Sequence, residues 1–199
     1  MFAAVLDTNV LWPGLQRDFL LSLAAAGLFR PLWSEHILDE LRMTQVRKLV
    51  GQGVNTEVAQ ARAAMLEARM REEFPDAIVT GYEPLIGSFK LPDPEDEHVV
   101  AAAVLGGAGL IATGNTKHFP AEDLPWTLEI ATPTEFASMT VEIDPNSAWR
   151  ALQAMATRSG RHGPKVTALE IVNELIQRYD MQEMADFLPI PATTPQESV

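Results

Sequence analysis

The chain has 199 residues, 47% of them hydrophobic, enough for one full domain with a small appendage and too apolar for a disordered composition. It contains no cysteine, which excludes disulfides, cysteine-ligated iron–sulfur clusters and thiolate zinc sites. A net charge of −12 disfavours holding nucleic acid by bulk electrostatics, so such an activity would need bound cations or a basic partner.

Residues 2–6 read as a short buried strand that stops at Asp7, and Asn9 follows closely. No basic region precedes this run and no apolar stretch reaches membrane-spanning length, so neither a signal peptide nor a membrane association is expected, and the location expected is cytoplasmic. Residues 15–26 read as a helix with Leu15, Phe19, Leu20 and Leu23 on one face and Gly27 as its stop. A second strand spans 28–33, and Ser34 is placed to cap a helix through about Val50. Asn55 or Thr56 opens a long helix to Glu73, with Val58, Ala61, Met65, Leu66 and Met70 as its expected apolar stripe.

A short strand at 77–80 and a loop at 81–91 come next. The helix at 95–105 is opened by Asp93 and Pro94 and ended by Gly106 and Gly107. Strands at 110–113 and 127–131 flank a loop, and Thr132-Pro133-Thr134-Glu135 opens a short helix. Strands alternating with helices predict an α/β fold, three layers (α/β/α) around a central parallel sheet. From about residue 140 only helices are expected: one from Asp144-Pro145 to about 156, one opened by the capping box Thr167-Ala168-Leu169-Glu170, and a short one at 181–187. The expected organisation is a domain at 1–139, a helical C-terminal region at 140–188 and a loose tail at 189–199.

Asp7, Glu40, Asp96 and Asn115 carry the functional reading. Each lies near the end of a strand or on the helix after it, and in a parallel sheet those carboxyl ends share one edge, where open α/β sheets place their ligand crevice. Singly, each has a plain structural explanation: a turn cap, a solvated helix acid, a helix-dipole partner, a turn residue. Together they would crowd carboxylates where solvation is poor, and a divalent cation removes that repulsion. An all-oxygen donor set suits Mg²⁺ or Mn²⁺, which suggests metal-assisted chemistry on a phosphate ester.

Four segments now stand out: Val5-Leu6-Asp7-Thr8-Asn9-Val10-Leu11, Ser34-Glu35-His36-Ile37-Leu38-Asp39-Glu40-Leu41, Asp93-Pro94-Glu95-Asp96-Glu97-His98-Val99, and Leu110-Ile111-Ala112-Thr113-Gly114-Asn115-Thr116-Lys117-His118-Phe119. In this order the chain resembles the PIN-domain ribonucleases, and within them the VapC-type toxins of toxin–antitoxin pairs, over about residues 1–139. The resemblance implies an Mg²⁺- or Mn²⁺-dependent endoribonuclease cutting single-stranded RNA, with the family's metal-binding acids falling on Asp7, Glu40 and Asp96. Asn115 supplies a neutral amide where many relatives carry a carboxylate, and His118 stands where Asp is frequent; both lower the negative charge of the site.

On this reading Asp7 and Asp96 are metal ligands, and Glu40 completes the shell or orients the attacking water. Asn115 holds a water or the scissile phosphate, and Thr8, Asn9 and Thr113 support the edge. Lys117, His118, Arg161 and Lys165 are candidate RNA contacts, although 158–165 reads more readily as an ordinary solvated link between helices. His36, His98 and His162 are expected to be structural or surface residues, since their spacing does not suggest a zinc site. The tryptophans are expected in packing, with Trp12 the one to watch near Asp7. The resemblance also implies a cognate antitoxin, whose basic arm the negative charge would suit, and a homodimer. A non-catalytic PIN-like module binding protein or RNA is the alternative, and a DNA nuclease or phosphatase on a similar sheet is a third reading. No P-loop and no GxGxxG after a strand is present.

Overall fold

The computed structural model describes residues 1–160 and 164–190. Short apolar runs form the sheet: β1 (Ala3–Leu6), β2 (Arg30–Ser34), β3 (Ile78–Val79), β4 (Leu110–Ala112) and β5 (Glu129–Ala131). Every pairing is parallel and the strand order is β3-β2-β1-β4-β5. All four residues of β1 are buried, as expected of a central strand covered on both faces. The chain winds outward from β1 to β3, then returns past β1 to lay down β4 and β5. β1 and β4 are therefore neighbours whose following segments diverge, which opens a crevice at their carboxyl ends.

The helices are α1 (Thr8–Leu11), α2 (Gly14–Ala25), α3 (Glu35–Gly51), α4 (Thr56–Glu73), α5 (Glu97–Gly106), α6 (Pro133–Ile143), α7 (Pro145–Arg158), α8 (Ala168–Tyr179) and α9 (Gln182–Asp186). Right-handed crossovers running in opposite directions along the sheet put α2 and α5 on opposite faces, giving the three layers. The expected caps form. Ser34 accepts from the Ile37 N–H, and Asn55 accepts from the Glu57 N–H. Thr132 with Glu135 and Thr167 with Glu170 each close a reciprocal capping box. Among the described residues no helix is long and apolar enough to cross a membrane.

Several expectations need correction. Asp7 is followed by a one-turn helix, α1, which the sequence analysis did not anticipate. The buried stripe of α4 is Ala59, Ala63 and Met70, whereas Val58 and Met65 are 44% and 56% exposed. α4 lies along α3, and small residues let two helix backbones approach more closely than Val or Met would. Position 139/140 falls inside α6, and one hydrophobic core runs from the sheet through α6 to α9. Trp33 is fully buried, edge-on to Phe74, and Trp149 packs half-buried against the core, but Trp126 is 95% exposed on the loop before β5. Arg161, His162 and most of the tail at 189–199 lie outside the described residues.

At Gly106 the end of α5 packs directly against side chains of β2 and β3. A Cβ there would stand 2.8 Å from Val79 Cγ2 and 2.9 Å from Leu32 Cδ1. Gly106→Ala is expected to destabilise the protein by about 1–3 kcal/mol, the usual effect of overpacking, read as a lower denaturant midpoint with unchanged slope. An unchanged midpoint would show that the two side chains move aside freely.

Candidate functional site

The crevice is built from the ends of β1 and β4. The Asp7 N–H donates to the Ala112 carbonyl at 3.1 Å, and this bond locks the two strand ends together. Asp7 then turns its side chain inward, 5% exposed, and one oxygen accepts from the Thr8 N–H at 2.6 Å at the start of α1. The other oxygen, Oδ2, accepts from the Thr113 hydroxyl at 2.6 Å and from the Asn9 side-chain amide. Asn9 in turn accepts from the Gly114 N–H at 2.6 Å, and Thr113 Oγ1 accepts from the Asn115 N–H at 3.0 Å. Thr8 links this group to α3, donating its hydroxyl to Glu40 Oε2 at 2.6 Å. Asp7, Thr8, Asn9, Glu40 and Thr113 thus form one hydrogen-bonded assembly across β1, α3 and β4.

Asp96 enters from the single turn ahead of α5. Four acids in that segment separate by role. Asp93 caps the turn by accepting from the Glu95 N–H, and Glu95 is exposed. Asp96 is half-buried, its Oδ2 2.6 Å from His118 Nδ1. Glu97, 5% exposed, accepts from the Gly87 and Phe89 N–H groups and ties the preceding loop to α5. His118 therefore faces Asp96, and Asp93 also lies within 3.9 Å of it.

The electrostatics follow from burial. Burial pushes the Asp7 carboxyl above its ordinary value of 3.8; the Thr113 hydroxyl and Thr8 N–H oppose this, and the nearby charges of Asp96 and Glu40 push it further up. Burial also works against ionised Glu40, but the His98 and His36 imidazoles and the Thr8 hydroxyl outweigh it and hold Glu40 below its usual range. The charges of Glu40 and Asp96 reach Asp7, but among the described residues these three carboxylates do not all bring a ligand atom within 4.8 Å of one another; a divalent cation drawing them together would relieve both the desolvation and the repulsion. The donor set of Asp7, Glu40 and Asp96 is all oxygen, the set that Mg²⁺ and Mn²⁺ prefer.

The structure places the other candidates less centrally. Asn115 is exposed, and its side-chain amide has no hydrogen-bond partner among the described residues. Lys117 and Lys165 are exposed and, among the described residues, join neither acid group. Trp12 is 38% exposed with Lys48 Nζ 5.1 Å from its ring centre. Two groupings were not anticipated. His36, Glu40 and His98 bring one ligand atom each within 4.8 Å of one another, and so do Asp93, Asp96 and His118. The i, i+4 spacing of His36 and Glu40 on one helix was the available signal for the first; the arrival of His98 from α5 depends on tertiary packing.

A family model described as PIN domain matches residues 3–117, more than half of the chain. No curated protein and no solved structure matches it.

Proposed function

The chain belongs to the PIN-domain family, generally metal-dependent nucleases, and on that premise we propose that it is an Mg²⁺- or Mn²⁺-dependent endoribonuclease. We further propose that it cuts single-stranded RNA in the cytoplasm as the toxin of a type II toxin–antitoxin pair. The observation that carries the nuclease reading is the buried Asp7, held by Thr113, Asn9 and the Thr8 N–H and raised in pKa beside Glu40 and Asp96. Asp7, Glu40 and Asp96 would hold the ion. When bound, a divalent ion supplies an acidified water and offsets charge at the phosphate.

The chain's own residues then have separable tasks. Thr113 and Asn9 fix the orientation of Asp7, and Thr8 fixes that of Glu40. His118 positions Asp96. Asn115, exposed at the mouth of the crevice, offers its amide to a phosphate oxygen. Cognate antitoxin and homodimer belong to the same proposal. The charge of −12 suits a basic antitoxin arm, and Met43 and Val50 on α3 with Val58 and Met65 on α4 expose apolar surface for a partner.

The test is cleavage of labelled RNA and DNA pools with and without Mg²⁺ or Mn²⁺, by wild type and by Asp96→Asn. The expected result is metal-dependent cutting of RNA, slowed at least about 100-fold in the variant, since losing a ligand should exceed the effect of losing its outer partner. Equal cutting of DNA would replace the ribonuclease by a general phosphodiesterase. The engagement of Asp96 by His118 favours the non-catalytic binding module as second reading; it predicts no cutting and no specific metal binding.

A further inference from the structure

We propose that His36, Glu40 and His98 form a second metal site, selective for a borderline divalent cation such as Zn²⁺ and sharing only Glu40 with the carboxylate crevice. His36 and Glu40 lie one turn apart on α3 and so share a face, and His98 reaches them from α5. The two imidazole rings stack with centroids 4.0 Å apart and planes 18° apart.

His98 is the telling residue. It is 2% exposed, yet its Nδ1 has no hydrogen-bond partner. Its Nε2 lies 3.6 Å from Glu40 Oε1, too far for a hydrogen bond. Two ligand atoms roughly 2.1 Å from one tetrahedral ion stand about 3.4 Å apart, so the gap is close to what a shared ion would set. The ion would bind through Nε2, the nitrogen facing Glu40, which has no hydrogen-bond partner among the described residues, while Nδ1 points away from it. Buried polar groups in folded proteins are almost always satisfied, and a metal on Nε2 would satisfy that nitrogen.

Glu40 is divided between the two sites. Oε2 accepts from Thr8 beside Asp7, while Oε1 faces His98. Two imidazoles and one carboxylate match the donor preference of Zn²⁺ and its neighbours rather than of Mg²⁺, which takes oxygen. Three protein ligands leave a fourth position open, as in sites where the metal meets a water or an exogenous ligand. His36 is exposed, so an ion can enter from solvent.

The test uses the full chain, stripped of metal and titrated with Co²⁺ as a spectroscopic probe, followed by displacement with Zn²⁺. The expected result is one Co²⁺ with the strong visible absorption of a four- or five-coordinate centre, displaced by Zn²⁺ but not by equal Mg²⁺; any ion in the oxygen-only crevice absorbs weakly and is lost to Mg²⁺ instead. His36→Ala, an exposed change that leaves the core alone, should weaken Co²⁺ binding at least about 10-fold, the lower end of the loss caused by removing even an outer partner of a metal ligand. Asp7→Asn should leave the absorption in place, so the site stands or falls separately from the nuclease reading. Unchanged binding in His36→Ala would overturn the assignment, as would a loss that follows His118→Ala instead.

Discussion

Asp7→Asn is expected to abolish metal-dependent cleavage and also to remove the thermal stabilisation that Mg²⁺ gives the wild type. The carboxylate is the most buried acid of the crevice, and on the proposed reading its charge would draw the ion between β1, α3 and β4. An ion that binds only the folded state stabilises it by about 2.7 kcal/mol at a hundredfold excess over its dissociation constant. The variant should show little of that shift. A second signature follows from linkage. The folded protein holds the Asp7 proton more tightly than the unfolded chain does, because burial raises its pKa above 3.8. Its contribution to stability is thus full below 3.8 and is lost as pH rises through the higher folded value. Metal-free wild type should accordingly lose stability across that window, and Asp7→Asn should lack this component. Cleavage and an Mg²⁺-dependent melting shift that both survive in the variant would remove Asp7 from the site.

Thr113→Val is expected to lower the stability by about 1–3 kcal/mol, the penalty for leaving buried polar groups unpaired, and to slow cleavage about 10–100-fold. Thr113 is fully buried, and its hydroxyl serves three partners: it donates to Asp7 Oδ2 and accepts from the Asn115 N–H and the Asn9 amide. Valine keeps the shape and removes all three bonds. Thr113→Ser restores the hydroxyl and should recover most of both losses. Denaturation midpoints and initial cleavage rates measured on the same preparations decide the matter. A valine variant as active as wild type would show that Asn9 and Thr8 orient Asp7 unaided.

The parts of the fold legible in sequence are those fixed by local chemistry. Ser34, Asn55, Thr132 and Thr167 each announce a helix because a side-chain oxygen satisfies an N–H two or three residues ahead, with no help from distant parts. The apolar runs of β1, β2 and β4 are equally plain. What depends on partners was misread. Hydropathy ranks Val58 and Met65 above Ala59 and Ala63, yet the close approach of α3 and α4 selects the alanines. Trp126 reads as a packing residue by composition, but the loop carrying it leaves its ring in solvent. Around the crevice, Asp7, Thr8, Asn9 and Thr113 could be nominated from their places at strand ends, and Glu40 from its place on the helix after β2. The pairing of His118 with Asp96 and the meeting of His98 with Glu40 could not, since each joins residues from separate helices or loops.

The strand order has a further consequence, for synthesis. Thr113 and Asp7 are 106 residues apart in the chain, and the bond between them requires β4 to have paired beside β1. Such long-range closure comes late, because the entropy of the intervening loop must be overcome before the contact rewards it. A growing chain on the ribosome therefore carries Asp7 without its counterpart across the crevice until residue 113 has emerged. The carboxylate edge assembles only near completion of the sheet, after more than half of the chain has been made.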